Sequence, residues 1–144
     1  MALQMINAPA VSLPQGVRDI LPEEACRINA AQAGILSVFD RHGFQRLITP
    51  LLEYVDVLSL GMGPNLKDRV LKFIDPSTGR VVAIRPDITA QIARVVAMRM
   101  RDYPLPLRLC YNENVLRYLE PREGKSREVL QIGAEYISAK ADPA

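Results

Sequence analysis

Hydrophobic residues recur at helical spacing in two stretches of the chain. The first opens at Pro22, is followed by acidic residues, and ends beside Gly43, which is the usual order for a helix. It predicts a helix over residues 22–42 with an apolar face that belongs to the core: Ile28, Ala31, Ile35, Val38 and Phe39. The second stretch follows Asp87 and predicts a helix whose apolar face is formed by Ile88, Ile92, Val95, Val96 and Met100.

Shorter apolar runs bounded by Pro, Gly and polar residues predict strands. One run ends at Pro50, two are joined by a turn around Gly79, and two are long and separated by a charged connection. The order helix, strand, hairpin, helix, hairpin lacks the regular alternation of a parallel sheet, so it predicts an α+β fold with an antiparallel sheet and helices on one side. The predicted strand segments are 44–48, 70–74, 81–84, 105–119 and 126–138.

The last strand has polar residues on a face where they could form a site. Because side chains alternate along a strand, one face carries Arg127, Val129, Gln131, Gly133 and Glu135. A turn near the middle of the charged connection places Arg117 opposite Arg127. Gly133 is then interpreted as an open position in a pocket with a cationic and an acidic end. The alternative is an ordinary solvated sheet face with paired charges.

Composition excludes several classes of protein. The chain has 144 residues, the size of one domain, and its net charge of +2 does not indicate a nucleic-acid binder. No apolar run approaches the ~20 residues of a membrane span. Cys26 and Cys110 predict two buried thiols, and with His42 as the single histidine neither a disulfide nor a metal site is indicated. The N-terminal residues do not resemble a secretion signal, so we expect a cytoplasmic protein.

Longer motifs identify a family. The segments RPDITAQIAR and PLRLCYNENVLRYLEPREGKSREVLQIGAEY closely resemble the catalytic core of histidyl-tRNA synthetase and of its paralogue, the regulatory subunit of ATP phosphoribosyltransferase. GVRDILPEEA and GFQRLITPLLEY extend the resemblance over nearly all of residues 13–142. It implies a class II aminoacyl-tRNA synthetase-like fold, an antiparallel sheet flanked by helices. Residues 13–144 would be the N-terminal part of that core, which is incomplete, and residues 1–12 a flexible tail.

The resemblance also implies roles for individual residues. The segment from Phe44 to Tyr54 corresponds to the motif that builds a homodimer interface, and Arg117 to the phosphate-binding arginine of the second motif. Arg127, beside it on the predicted face, is a second candidate for binding an anion. The histidine pocket of the family falls on four positions, of which the last would receive the α-ammonium group: Asp87, Thr89, Gln131 and Glu135.

Helix capping is the alternative role for the first two of these residues. Asp87 and Thr89 stand at the start of a predicted helix, and Asp and Thr are common at helix N-termini. A helix N-terminus can also bind a ligand, so both roles stay open.

Three departures from the synthetase pattern separate the paralogues. Leu119 stands where the synthetase has an acidic residue, Asp87 where it usually has Glu, and Lys125 where it usually has Arg. The sequence as given ends before a third class II motif or an anticodon-binding domain, so we expect it to be an incomplete core. These departures favour the regulatory subunit, which would have no catalytic residues and no cofactor.

The resemblance and the residues are compatible with three functions. As a regulatory subunit the protein would bind L-histidine as effector, partner the short catalytic subunit in the first step of histidine biosynthesis, and bind no nucleic acid. The alternative is a histidyl-tRNA synthetase core that activates histidine with ATP and magnesium. A third interpretation is a dimerisation module with a vestigial pocket.

Overall fold

The computed structural model describes residues 12–61, 70–118 and 126–139. The predicted helices and hairpins are confirmed, whereas strand β2 and helix α2 were not predicted. Almost all of the predicted tail, residues 1–12, lies outside the described residues. In chain order the elements are α1 (Pro22–Arg41), β1 (Gln45–Arg46), β2 (Leu52–Tyr54), α2 (Val55–Gly61), β3 (Lys72–Ile74), β4 (Val81–Ile84), α3 (Thr89–Arg99), β5 (Leu107–Leu116) and β6 (Glu128–Ile137).

The described strands form two small sheets instead of the single antiparallel sheet that the pattern predicts. One has the order β1-β5-β6 and the other β2-β4-β3. All pairings are antiparallel except that of β1 with β5, which is parallel. The chain changes sheets between β1 and β2, where Pro50 has no N–H to donate to a ladder.

The hairpin of β5 and β6 is the longest pairing in the described structure. Its register runs from Leu107 opposite Ile137 to Leu116 opposite Glu128. One step further, the Arg117 N–H donates to the Arg127 carbonyl at 2.9 Å, so the predicted pairing of these two residues is confirmed. The hairpin therefore has the alternation of side chains that the sequence predicts.

Helix α3 packs on the face of this hairpin that carries Gln131 and Glu135. Ile88 and Ile92 are buried at its start, against apolar side chains of β5. Full burial of side chains of this size contributes about 1.5–3 kcal/mol each. The helix N-terminus is thereby fixed above the polar part of the face. The buried cluster consists of Ile88, Ile92, Leu107, Leu109, Tyr111 and Val115.

The prediction that the apolar face of α1 belongs to the core is wrong for this structure. No residue of α1 is buried, and the side chains of Ile35 and Val38 are 43% and 40% exposed. Helical periodicity shows that a face is apolar but not that another element covers it. Cys26 lies on this helix and is exposed, which corrects the predicted burial, whereas Cys110 on β5 is buried as predicted.

None of the helices in the described ranges has the length and apolar character that a membrane span requires.

Candidate functional site

The segment between β4 and α3 brings Asp87 and Thr89 to the pocket face. Asp87 Oδ1 accepts a hydrogen bond from the Thr89 N–H at 2.8 Å, so this carboxylate does stabilise the first turn of α3. Ile88 occupies the N-cap position, where no side chain makes a capping bond. Since one oxygen is used in the turn, Asp87 Oδ2 remains directed at β6.

The four residues of the predicted histidine pocket lie together. Gln131 Nε2 donates to Asp87 Oδ2 at 3.0 Å, and Thr89 Oγ1 donates to Glu135 Oε1 at 2.8 Å. Each residue at the start of α3 is thus paired with one on β6. We call these four residues the pocket cluster; their role in binding histidine stays a prediction.

Of the two predicted anion-binding arginines, Arg117 borders the pocket cluster. Its Nε donates to the Pro86 carbonyl at 2.9 Å, and its Nη2 lies 3.7 Å from Asp87 Oδ2. The Arg117 side chain is 30% exposed, so its guanidinium can still meet a ligand. A bond to the backbone and a carboxylate neighbour orient it toward the site.

Arg127 is held by a different set of contacts. Its guanidinium carbon lies 5.4 Å from the centre of the Tyr118 ring, and its N–H donates to the Gly16 carbonyl at 2.7 Å. Gly16 has φ +83° and lies so close to the Arg127 side chain that a Cβ there would be 2.8 Å from Cγ. These contacts hold Arg127 against the turn at Gly16. Of the two arginines that were predicted to form a cationic pair, it is Arg117 that lies beside the pocket cluster.

The interpretation of Gly133 as an open position is wrong. The phenol of Tyr111 fills the space above it, and a Cβ on Gly133 would clash with that hydroxyl. Glycine is required because a buried aromatic ring crosses the backbone here. Burial raises the pKa of Tyr111; hydrogen bonding with Thr89 and Gln131 lowers it in part, and the nearby Glu135 and Asp87 carboxylates raise it further.

Gln131 has an acceptor that a ligand could use. Its Nε2 is oriented by Asp87 and lies 3.5 Å from the Tyr111 hydroxyl. Its Oε1 is buried and has no hydrogen-bond donor among the described residues. An unsatisfied buried acceptor costs about 1–3 kcal/mol, and a ligand donor would recover that cost. The site therefore offers two carboxylates, one amide oxygen and a guanidinium, which suit a small zwitterion.

The sequence patterns did not single out a second group of candidate residues, which are polar and buried. Thr49, Arg85 and Gln91 are buried polar residues, and the last two flank Asp87 and Thr89 in the chain. Gln91 could have been noticed, because it stands three residues after Ile88 on the apolar side of the helix. Tyr111 shares the strand face with Leu107 and Leu109, but that alternation predicts only an apolar side chain there and gives its hydroxyl no role.

Known proteins resemble this chain over most of its length. Residues 16–143 match the family model of histidyl-tRNA synthetase. An ATP phosphoribosyltransferase regulatory subunit from Geobacter sulfurreducens is 49% identical over 132 residues, which are 92% of this chain and 30% of the relative. The protein of that name from Geobacter metallireducens is 51% identical over the same shares of both chains.

A solved structure supports the fold. It is the crystal structure of an ATP phosphoribosyltransferase regulatory subunit/histidyl-tRNA synthetase from Bacillus halodurans, with a TM-score of 0.79 and 32% identity, over 92% of this chain and 33% of that one. The expected class II synthetase-like α+β fold is confirmed. This chain spans less than a third of the length of the two Geobacter relatives, at 30% of each. Since the family model covers nearly all of it, the chain belongs to the histidyl-tRNA synthetase family.

Proposed function

We propose that this chain is part of a regulatory subunit of ATP phosphoribosyltransferase that binds L-histidine and acts with the short catalytic subunit in the cytoplasm. The observation that carries the proposal is the pocket cluster, in which Gln131 bonds Asp87 and Thr89 bonds Glu135. The names of the relatives support the regulatory role over the synthetase role. The subunit would perform no catalysis and need no cofactor.

The polar groups of the site match the groups of histidine. Asp87 and Glu135 can accept hydrogen bonds from the α-ammonium and from an imidazole N–H, and the Gln131 amide oxygen is a third acceptor. Arg117 lies on the Asp87 side and can meet the α-carboxylate. Charge-assisted bonds of this kind contribute about 1.5–3 kcal/mol each. The site can therefore hold the amino acid by both charged ends.

The synthetase remains the second candidate because the Bacillus halodurans protein carries both names. A synthetase must also bind ATP and magnesium and form an adenylate. Two residues that depart from the synthetase pattern, Leu119 and Lys125, lie outside the described residues. Asp87 lies in the pocket and is one methylene shorter than the Glu usual in the synthetase, so the reach of its carboxylate differs.

The two candidates predict different reactions with ATP. We expect the complete protein to bind histidine but to catalyse no histidine-dependent exchange of pyrophosphate into ATP, because Leu119 replaces the acidic residue of the synthetase pattern. A histidyl-tRNA synthetase assayed in parallel is the positive control. Exchange at a rate comparable to that control would overturn the regulatory proposal and support the synthetase.

A homodimer through the segment from Phe44 to Tyr54 is part of the proposal. Three apolar side chains of this segment are exposed: Ile48 is 69%, Leu51 51% and Leu52 45% accessible. A second copy of the chain meeting the same segment would remove this apolar surface from water. Leu47, by contrast, is partly buried against the core and is unsuitable as an interface probe.

We therefore expect Ile48→Glu to dissociate the dimer without unfolding the protein. A charge at the centre of an apolar interface is left without a partner, and its burial is unfavourable. Ile74→Glu is the matched control, because Ile74 is 67% exposed and lies outside the segment. Sedimentation velocity measures both variants. An Ile48→Glu protein that sediments as the wild type does would refute this interface. A wild-type dimer that binds no histidine would instead favour the interpretation as a dimerisation module with a vestigial pocket.

A further inference from the structure

The three polar residues that are buried in the described part of the chain bond to one another. Thr49, Arg85 and Gln91 are 5%, 4% and 1% exposed. Thr49 Oγ1 donates to Gln91 Oε1 at 2.7 Å, and Arg85 Nη1 donates to the Thr49 carbonyl at 2.7 Å and to Oγ1 at 3.2 Å. We call these three residues the Thr49 clamp.

The clamp holds the inner side of the exposed apolar segment. Gln91 Nε2 donates to the Pro50 carbonyl at 2.9 Å, and the Arg85 N–H donates to the Leu51 carbonyl at 3.0 Å. Ile48 and Leu51 direct their side chains outward from the same stretch, where they are exposed. A partner that moves this stretch must therefore move the clamp.

The clamp residues Arg85 and Gln91 also flank Asp87 and Thr89, the two pocket-cluster residues at the start of α3. Arg85 lies two residues before Asp87, and Gln91 lies two residues after Thr89. The ends of segment 85–91 are thus bonded to Thr49, while its middle is bonded to β6. The short segment 85–91 therefore links the position of Thr49 to the positions of Asp87 and Thr89.

Arg85 ties this segment to β5 as well. Its Nε donates to the Asn114 carbonyl at 2.8 Å, and its Nη2 donates to Glu113 at 3.1 Å. Its own carbonyl accepts a hydrogen bond from the Leu116 N–H at 3.0 Å, which connects the two sheets. Glu113 stands directly opposite Gln131 in the hairpin register. The clamp therefore adjoins the pocket cluster in two ways: along the chain through segment 85–91, and through Glu113, which pairs with Gln131 in the hairpin.

A network of this kind could serve stability alone, because buried polar groups need hydrogen-bond partners. Its placement indicates more. Packed interiors transmit small displacements as discrete shifts, and the clamp is bonded both to the exposed apolar segment and to the ends of segment 85–91, which carries Asp87 and Thr89. If the clamp served only to stabilise the fold, the affinity of the pocket cluster for a ligand would not depend on what contacts the exposed segment around Ile48.

We propose that Thr49 is a positioning residue that couples dimerisation through the segment around Ile48 to the affinity of the pocket cluster for histidine. The proposal rests on the proposed function, since it concerns the same pocket. When a second copy holds the segment, the clamp holds Asp87 and Thr89 in the geometry that binds the amino acid. By thermodynamic reciprocity, histidine must then tighten the dimer by the same factor.

The test uses the complete protein and two measurements, histidine titration by calorimetry and the dimer dissociation constant with and without saturating histidine. In the wild type, histidine should lower the dimer dissociation constant by a factor of about two to thirty, which we call the coupling factor.

Thr49→Val keeps the shape of the side chain but removes the hydroxyl. It should weaken histidine binding and bring the coupling factor close to one. Thr49→Ser should restore both properties. Thr78→Val, in an exposed turn, is the matched control and should change neither.

The outcomes separate this inference from the proposed function. A wild-type protein that binds no histidine contradicts the proposed function, and this inference with it. A wild-type protein that binds histidine, while Thr49→Val shows the same affinity and the same coupling, overturns the inference alone. A lower melting temperature with unchanged affinity assigns Thr49 a purely structural role and also overturns it. If Thr49→Val does not fold, Gln91→Met, which has a similar volume, takes its place.

Discussion

Replacing Arg85 with methionine is expected to lower the free energy of unfolding by about 3–5 kcal/mol. The Arg85 side chain is 4% exposed, and its ion-pair partner Glu113 is 18% exposed. Among the residues that the structure describes, removing the guanidinium leaves Glu113 only the longer ion pair with Arg46, at 3.6 Å. It also removes the side-chain donors that bond the Thr49 and Asn114 carbonyls.

Urea denaturation of the complete protein measures this loss. Arg27→Met is the matched control, because Arg27 also forms an ion pair, with Glu23 at 3.0 Å, but both side chains are exposed. Such a surface pair contributes about 0.3–0.5 kcal/mol on a helix. If Arg85→Met were no less stable than Arg27→Met, the buried network would not be holding the two sheets together.

The second large effect concerns ligand binding. Glu135→Gln should weaken histidine binding about tenfold to hundredfold, because the amide keeps the shape and one acceptor oxygen but loses the charge. The Thr89 hydroxyl that donates to Glu135 can still donate to the amide oxygen, so the fold should be preserved. Calorimetric titration of the complete protein measures the affinity, and thermal melting controls for folding.

Glu128→Gln is the matched control for this prediction. Glu128 lies on the same strand, but on the opposite face, and accepts a bond from Asn114 Nδ2 at 3.0 Å. The change in charge is identical, and we expect no change in histidine affinity. Equal losses in both variants would indicate a general electrostatic effect, and no loss in Glu135→Gln would leave this face an ordinary charged hairpin.

The sequence predicted those features of the site that depend on local periodicity. Alternation along β6 placed Gln131 and Glu135 on one face, and the facing pair of Arg117 and Arg127 followed from the turn. That Asp87 and Thr89 would meet this face came from the family resemblance, because spacing does not determine where a helix N-terminus packs. Asp87 makes both kinds of contact, because one carboxylate oxygen accepts from the Thr89 N–H at the start of α3 and the other accepts from Gln131.

Features that depend on distant residues could not be predicted in this way. Alternation gave the face on which Gly133 lies, but not that Tyr111 from the neighbouring strand fills the space above it. Thr49 and Gln91 are separated by 42 residues, so no local pattern joins them. Periodicity likewise showed the apolar face of α1 without showing what covers it.

The proposed function is tested directly by phosphoribosyl transfer by the short catalytic subunit of the same organism, measured with and without the complete protein as histidine is added. We predict that full activity requires both proteins and falls as histidine rises, and that the Glu135→Gln variant needs more histidine for the same inhibition. Activity that is independent of this protein and unaffected by histidine in its presence would contradict the proposed regulatory function.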